Sequence, residues 1–266
     1  MLGTTKIYGC LADPINHVKA PTIFTSIFKN KNIDAVMIPI HLNDDNLENV
    51  LSSLRAIKNF KGMTVTIPHK TNITKLCDYL EPDAKFTGAV NWIKFDNDRN
   101  LIGNNFDGQG FVNGFIKQNY SLKNKNVCLF GAGGAAVAIG ASLVNEQIKS
   151  LKLINRDLNK AIHLKNKIHA KSDHLKVEVF PESDYTLIDS DIIINATSLG
   201  LKETDKLPFD VTKSSPNSVI ADIIMQPEET DLLKRAKSLG RSIHYGKYMI
   251  ESQIDLVGNF LKIGKL

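Results

Sequence analysis

The segment that most constrains the fold is a strand-like run that passes through a glycine-rich turn directly into a helix. It reads NVCLFGAGGAAVAIGASLV and covers residues 126–144. Glycines at such a turn let the backbone bend tightly and approach a pyrophosphate, whose charge is stabilised at the positive N-terminus of the helix. A tight turn without a ligand is the alternative. The strand–turn–helix context favours a dinucleotide site, formed by Gly131, Ala132, Gly133, Gly134 and Ala135.

Strand-like and helix-like segments alternate along the rest of the chain. LKLINR, KVEVF, DIIINATS and NSVIADII are further predicted strands of the second part, and DLNKAIHLKNKI is a predicted helix. Such β–α repeats predict a parallel sheet with right-handed crossovers. In the first part, strands at 6–12, 34–42 and 62–67 alternate with helices at about 21–31 and 44–57. GAVNWIKF and NLIGNN are predicted to pair, and KYMIESQIDLVGNFLKI is predicted to be one amphipathic helix.

A chain of 266 residues exceeds the usual size of a single core, so we expect an α/β fold with two domains. Residues 1–106 are predicted to form an N-terminal α/β domain that binds substrate and carries catalysis. Residues 107–242 are predicted to form a Rossmann-type parallel-sheet domain that binds the dinucleotide. Residues 243–266 are predicted to return as a helix to the first domain.

Composition and charge exclude several classes of protein. The net charge of +5 comes from scattered lysines, which favours a solvated surface over a nucleic-acid interface. We find no apolar stretch of membrane-spanning length and no signal-peptide pattern at the N-terminus. Three cysteines without metal-type spacing indicate no metal site and a reducing, cytoplasmic location. The expected partner is a small-molecule substrate, and the expected state is a monomer or homodimer.

The tip of the strand after the glycine-rich turn indicates which dinucleotide binds. NAD-selective folds usually place a carboxylate there, but this chain reads INRDLNK, with Asn155 and Arg156 at the tip and Lys160 one helical turn on. A guanidinium can pair with a 2′-phosphate, so NADP is favoured and NAD remains possible. Asp157 would oppose that phosphate if it pointed inward. Alternatively, Arg156 is only an exposed cation and Asp157 caps the helix.

Several motifs occur in one order along nearly the whole chain: VTIPHK, GAVN, NFDGQG, GAGGAA, NR after a strand, NATSLG and GKYMIESQ. In this order the chain resembles the shikimate/quinate dehydrogenase family. The resemblance implies an NADP-dependent oxidoreductase that interconverts 3-dehydroshikimate and shikimate, or a close relative. The alternatives are a dehydrogenase of quinate or of an amino-substituted ring acid that uses NAD, a catalytically silent nucleotide-binding regulatory protein, and a methylene-tetrahydrofolate dehydrogenase.

The resemblance also implies roles for single residues. Lys70 and Asp107 correspond to the catalytic pair, and the chemistry is plausible because an ammonium can stabilise a developing alkoxide and transfer its proton. Both would lie at the cleft between the domains. The resemblance further implies ring-hydroxyl contacts by Thr66, Asn91 and Gln253, and nicotinamide contacts by Asn195, Ala196, Thr197 and Gly246. Alternatively, Asn91 could only close a turn, and Gln253 could face solvent.

The pattern departs from the family at the predicted carboxylate end of the substrate. Asn16 and Val18 in ADPINHVKAP stand where two serines usually bind the carboxylate. Met225 in DIIMQP replaces a tyrosine and would also lie at the cofactor, and Phe106 replaces the threonine of NTDG. Valine and methionine donate no hydrogen bond. Either Asn16, His17 or Lys19 binds the anion, or the substrate differs there.

Overall fold

The computed structural model describes residues 1–16 and 18–266, and the chain divides into two compact units. The first unit comprises Met1–Phe106 and Ile254–Leu266, and the second unit comprises Asp107–Gln253. The chain therefore passes from the second unit back to the first after residue 253, rather than at the predicted position 243.

Strands and helices alternate in the first 106 residues. The first three strands and the two helices between them lie close to the predicted ranges. Short 3-10 turns lie at Asp44–Asn46 and Asn72–Leu76. The elements are β1 (Lys6–Ala12), α1 (Ala20–Asn30), β2 (Ala35–His41), α2 (Leu47–Ala56), β3 (Phe60–Val65), β4 (Tyr79–Leu80), α3 (Pro82–Thr87), β5 (Trp92–Phe95) and β6 (Leu101–Asn104).

These strands form one mixed sheet in the order β2-β1-β3-β5-β6-β4. β1 pairs in parallel with both β2 and β3, so the carboxyl ends of these three strands meet at one edge. β5 runs antiparallel to β3 and to β6, which confirms the predicted strand pair. The run from Tyr8 to Ala12 is buried because β1 lies inside the sheet with packed side chains on both faces.

Arg99 fastens the C-terminal end of α2. Its Nη2 donates to the carbonyls of Leu54 (2.8 Å) and Ile57 (3.0 Å), and its Nε donates to the carbonyl of Arg55 (2.8 Å). Its Nη1 donates to the carbonyl of Phe60 (2.9 Å), the first residue of β3. One guanidinium therefore satisfies carbonyls that the helix end leaves without intrahelical donors.

The second unit contains regular β–α repeats. The elements are α4 (Asp107–Lys117), β7 (Asn126–Phe130), α5 (Gly134–Asn145), β8 (Ser150–Ile154), α6 (Leu158–Lys171), β9 (Lys176–Phe180), β10 (Ile192–Asn195), β11 (Val219–Asp222), α7 (Asp231–Ser238), β12 (Ser242–His244) and α8 (Lys247–Glu251). The strands form an all-parallel sheet in the order β12-β11-β10-β7-β8-β9, which confirms the predicted Rossmann-type α/β class.

The C-terminal segment differs from its prediction as one helix. α8 ends at Glu251, and a separate helix, α9, covers Ile254–Phe260. The break separates two different cores: Met249 packs in the second unit, whereas Val257 and Phe260 pack in the first. An amphipathic pattern in the sequence reports only that each turn has a buried face, and it does not show that the partner changes.

Candidate active site

The glycine-rich turn has the geometry of a phosphate site. Gly131 adopts φ +110°, and a Cβ there would lie 2.7 Å from the carbonyl oxygen of Ala196, so only glycine fits. By contrast, a Cβ at Gly133 or Gly134 would meet nothing within 4 Å. Gly133 is the N-cap of α5, with no side-chain cap and no acidic residue in the first turn. The helix N-terminus is thus open to an anion, which fits a dinucleotide pyrophosphate.

The carboxylate of Asp157 is occupied by its own helix. Its Oδ1 accepts hydrogen bonds from the backbone N–H of Asn159 (3.0 Å) and of Lys160 (3.3 Å), so Asp157 caps α6. Asn155 Nδ2 donates to the backbone carbonyl of Asp157 at 2.7 Å, which closes the turn. Arg156 and Lys160 are exposed beside it. The cap therefore coexists with a cationic strand tip instead of excluding it.

A buried polar network joins the ends of β10 and β11. Asn195 Nδ2 donates to Asp222 Oδ1 (3.1 Å) and to the carbonyl of Leu199 (3.1 Å). Asn195 Oδ1 accepts from the backbone N–H (3.1 Å) and the hydroxyl (2.7 Å) of Thr197. The amide of Asn195 is therefore fully used inside the protein, where it holds Thr197, and the assignment of this strand end to the nicotinamide stays a prediction.

Asp222 is the centre of this network. Its Oδ1 also accepts from the backbone N–H of Ile224 (3.0 Å), and its Oδ2 accepts from the hydroxyl of Thr230 (2.8 Å). Burial raises the pKa of the Asp222 carboxyl, while the hydrogen bonds from Ile224, Thr230 and Asn195 oppose that rise. The network fixes the loop that follows β11, where Met225 projects with 41% of its surface exposed.

Gly246 lies against that same loop. A Cβ at this position would come within 2.6 Å of the backbone carbonyl carbon and oxygen of Ile223, so the backbones meet with no room for a side chain. The next residue, Lys247, forms an ion pair with Glu228 (Nζ–Oε1 2.6 Å). Gly246 and Met225 are therefore carried by two segments that lie together in the second unit.

Asp107 and Gln253 are adjacent although they lie 146 positions apart. Asp107 is the first residue of α4, and Gln253 Nε2 donates to Asp107 Oδ1 at 3.3 Å. Both side chains are buried, so the alternative that Gln253 faces solvent is wrong. Gly114 lets α4 and α8 approach each other closely, because a Cβ there would lie 2.7 Å from the carbonyl oxygen of Tyr248 in α8.

Lys70 is half-buried in the segment that follows β3 in the first unit. Its backbone carbonyl accepts from the N–H of Val90 at 2.8 Å, and the preceding residue, His69, donates its N–H to the carbonyl of Thr66 at 3.0 Å. Thr66 is half-buried, and its N–H donates to the carbonyl of Leu11 at 3.0 Å. The main chain around Thr66 and Lys70 is therefore fixed by neighbouring strands.

Asn91 supports the segment that leads to Asp107. Its Oδ1 accepts from the backbone N–H of Phe106 at 2.9 Å, a contact between segments 15 positions apart. The Phe106 ring is buried and contacts the ring of Phe260 edge-on, with centroids 5.4 Å apart. Lys94 Nζ lies 4.1 Å from the centre of the Phe260 ring. Phe106 therefore stabilises the core of the first unit.

The predicted carboxylate-end residues of the first unit follow β1. Asn16 and Lys19 are exposed, and Val18 is half-buried against the aromatic cluster that includes Tyr8 and Phe28. Val18 thus contributes packing. His17, the third candidate for anion binding, lies outside the described residues.

Two features are absent from residues 1–16 and 18–266. Within these ranges the structure has no cluster of three histidine, cysteine, aspartate or glutamate side chains able to hold a metal ion. No helix there is long and apolar enough to cross a membrane.

The sequence of this chain is similar to that of known proteins along most of its length. A family model for the shikimate dehydrogenase substrate binding domain matches residues 10–93, and a model for shikimate / quinate 5-dehydrogenase matches residues 115–223. The shikimate dehydrogenase (NADP(+)) of Methanosphaera stadtmanae is 36% identical over 257 residues, which cover 94% of this chain and 89% of the relative. The chain belongs to the shikimate and quinate dehydrogenase family. Membership confirms the predicted family and the predicted class of NAD(P)-dependent oxidoreductase.

Solved structures of the family agree with the fold. Shikimate 5-dehydrogenase from Listeria monocytogenes, in complex with shikimate and NAD, has a TM-score of 0.92 and 29% identity, and the match covers 100% of this chain and 94% of that one. The ligand-free 5-ketofructose reductase of Gluconobacter has a TM-score of 0.90 and 28% identity, and the match covers 98% and 94% of the two chains. One fold thus occurs in proteins with differently named substrates.

Three supporting residues were missed by reasoning from the sequence. Asp222 and Thr230 hold the end of β11, and Asp44, which follows β2, accepts a hydrogen bond from His69 beside Lys70. An acid at or near the end of a strand was a usable signal, since Asp222 is the last residue of β11 and Asp44 follows soon after β2. Nothing in the local sequence gives the partner of either residue.

Proposed function

We propose that this protein is an NADP-dependent shikimate dehydrogenase, which interconverts 3-dehydroshikimate and shikimate or a closely related ring acid. The observation that carries the proposal is similarity to shikimate dehydrogenases over nearly the full chain, in which Lys70 and Asp107 are both present in their motifs. A protein that only sensed a nucleotide would not need a lysine and an acid for proton transfer.

Lys70 acts as the acid and base at the reacting oxygen. Oxidation of a secondary alcohol removes a proton from the hydroxyl, and reduction of the carbonyl returns one, so a group that can both accept and donate is needed. A positively charged Lys70 also stabilises negative charge that develops on that oxygen. When bound, the dinucleotide supplies the hydride acceptor or donor.

Asp107 and Gln253 act as a pair on the substrate hydroxyls. A carboxylate accepts hydrogen bonds, and a glutamine amide both donates and accepts, so together they suit adjacent hydroxyls on a ring. Their bond of 3.3 Å within the second unit keeps the two groups oriented before substrate arrives. The family resemblance assigns Thr66 and Asn91 to ring hydroxyls as well.

NADP is the cofactor, in agreement with the names of the curated relatives, although NAD appears with some structural neighbours. The pyrophosphate is assigned to the open N-terminus of α5 at Gly133 and Gly134. The 2′-phosphate is assigned to Arg156, with Lys160 and Asn155 beside it. The nicotinamide is assigned to the segments of Thr197, Met225 and Gly246.

The substrate's acidic end is where this chain differs from its family. The half-buried Val18 and the exposed Met225 offer no hydrogen-bond donor, and a carboxylate desolvated without donors is costly. Quinate or an amino-substituted ring acid is therefore the second candidate substrate. Asn16 and Lys19, both exposed, are the proposed anion contacts for either acid.

The remaining expectations concern the setting of the reaction. We propose a monomer or homodimer that binds small molecules and no nucleic acid. We also propose a reducing, cytoplasmic compartment, because Cys10, Cys77 and Cys128 are free thiols. Burial raises the pKa of Cys10 and of Cys77 to about 12, so neither is a reactive thiolate at neutral pH.

The deciding experiment is NADP reduction measured with shikimate, with quinate and with unrelated secondary alcohols. Lys70→Ala is expected to lower kcat by roughly a hundredfold or more, because proton transfer typically contributes that much. Lys75→Ala is the matched control, since Lys75 is an exposed lysine of the following 3-10 turn. Wild-type protein that binds NADP but oxidises none of the ring acids would overturn the proposal.

A further inference from the structure

One carboxylate of the first unit holds the chain on both sides of Lys70. Asp44 Oδ1 lies 2.6 Å from His69 Nδ1, and Asp44 Oδ2 accepts from Asn72 Nδ2 at 3.0 Å. His69 directly precedes Lys70, and Asn72 follows it by two residues. The two oxygens of a single side chain thus bridge a four-residue segment with the lysine inside it.

The sheet explains how Asp44 reaches this segment. β2, β1 and β3 are parallel neighbours, so their carboxyl ends share one edge. Asp44 opens the 3-10 turn after β2, and His69 lies four residues after the end of β3. The segments that follow β2 and β3 therefore meet beyond the end of β1, and the contact joins two strands that are not adjacent in the sheet.

The histidine side of this contact is fully enclosed. The His69 side chain has 0% of its surface exposed, whereas that of Asp44 has 39% exposed. A carboxylate can only accept, so Nδ1 carries the proton in this pair. Among the described residues, Nε2 has no hydrogen-bond partner. The contact with Asp44 is therefore the one hydrogen bond of this ring among the described residues, and it determines which ring nitrogen faces the carboxylate.

We propose that Asp44 is a positioning residue for Lys70, and that it acts through His69 and Asn72. This inference rests on the proposed function of Lys70. The side chain of a lysine has four rotatable bonds, so a rigid backbone is one condition for a well-defined place of its ammonium. A misplacement of about 1 Å can cost a hundredfold in rate, which makes a distant anchor relevant to catalysis.

The first test compares Asp44→Ala with Asp45→Ala. Asp45 is the neighbouring exposed acid of the same 3-10 turn, so the control removes equal charge from nearly the same place. Asp44→Ala is expected to lower kcat roughly tenfold or more and to leave the Kd for NADP within about twofold. Asp44→Asn, which keeps an acceptor for His69, is expected to recover part of kcat. A kcat of Asp44→Ala within about twofold of Asp45→Ala would overturn the inference.

A second readout does not depend on turnover. The rate at which an N-hydroxysuccinimide ester acylates Lys70 can be measured by peptide mass spectrometry, with Lys75 as the reference in the same peptide region. Asp44→Ala is expected to change the ratio of the two rates by roughly threefold or more, and Asp45→Ala is expected to leave it unchanged. An unchanged ratio in Asp44→Ala would count against the role of Asp44 even if kcat fell.

Asn72→Ala serves as the control against misfolding of the variants. Asn72 is exposed, so this variant removes only one of the two contacts from a position that tolerates change. It is expected to lower kcat about two- to fivefold. His69→Gln and the double variant with Asp44→Ala complete a cycle, and their effects are expected to be less than multiplicative because both residues act through one contact. Multiplicative effects would contradict that route.

Failure of the proposed function gives a different result. In that case wild-type protein shows no turnover with any ring acid, and Lys70→Ala changes nothing. The acylation ratio still reports whether Asp44 fixes Lys70. If only the positioning role is wrong, the wild-type protein still oxidises a ring acid and Lys70→Ala still loses that activity.

Discussion

Gln253 Nε2 donates a hydrogen bond to Asp107 Oδ1 over 3.3 Å, and these are the last and the first residues of the second unit. The contact brings together the two points at which the chain enters and leaves that unit. It also joins two groups that we assign to the substrate, so its loss should affect catalysis more than cofactor binding.

Gln253→Ala is therefore expected to lower kcat/KM for the ring acid by roughly tenfold or more, because a hydrogen bond to a charged group contributes about 1.5–3 kcal/mol. The Kd for NADP should change by less than about twofold. Steady-state kinetics and a fluorescence titration with NADP check the two values. Gln109→Ala is the control, since that glutamine of α4 bonds to Asn113. Parallel losses in both variants would contradict a specific role for Gln253.

Arg156→Ala should separate the two dinucleotides. The guanidinium is exposed at the strand tip beside the capped helix, where it can pair with a 2′-phosphate. We expect the Kd for NADP to rise roughly tenfold or more and the Kd for NAD to stay within about twofold, as measured by calorimetric titration. Arg235→Ala removes an exposed arginine from α7 and serves as the control. Equal weakening of both dinucleotides would remove the assigned phosphate contact.

His244 should make the free energy of unfolding depend on pH. Burial lowers the pKa of this imidazole from 6.5 to about 4, and among the described residues neither ring nitrogen has a hydrogen-bond partner. The unfolded chain binds the proton below pH 6.5 but the folded chain does so only near 4. Stability is therefore lost as pH falls between these values, by about 3 kcal/mol in total.

Urea unfolding of wild type and His244→Leu at pH 7 and pH 4.5 isolates this contribution. The ring of His244 lies among Phe111, Phe115, Tyr120 and Tyr248, so leucine keeps an apolar side chain in the same aromatic surroundings. The stability difference between the two pH values should be smaller in the variant. The same acid-dependent loss in both proteins would assign it to other groups.

Arg99→Ala should destabilise the first unit without touching the proposed active site. The variant removes donors from four backbone carbonyls, at the end of α2 and at the start of β3. We expect a loss of about 2–4 kcal/mol in the free energy of unfolding. Arg99→Lys keeps the charge but not the planar fork of donors, so it should recover less than half of the loss. Full recovery by lysine would show that charge alone matters there.

The sequence alone predicts most of the fold, because alternating strands and helices leave few arrangements of a parallel sheet. It does not predict the break between α8 and α9, since apolar residues at helical spacing occur on both sides of it while their packing partners differ. The position of a unit boundary depends on which core each turn joins. The local pattern of apolar residues does not give that core.

The candidate site divides in the same way. Motifs in a fixed order identify the family, and the chemical character of a lysine or an acid suggests its role. The network of Asn195, Asp222 and Thr230 and the contact of Asp44 with His69 are formed between segments far apart in sequence. Their partners are determined by strand order, which becomes known only in three dimensions.

The helix cap at Asp157 limits how this chain can be redesigned. An engineer who wants the unphosphorylated dinucleotide would look for an acid at the strand tip and find one already in the sequence. That acid is engaged by the backbone of α6, and turning it toward a ribose would unfasten the start of the helix. A new carboxylate has to be introduced instead, at the position that Arg156 now fills.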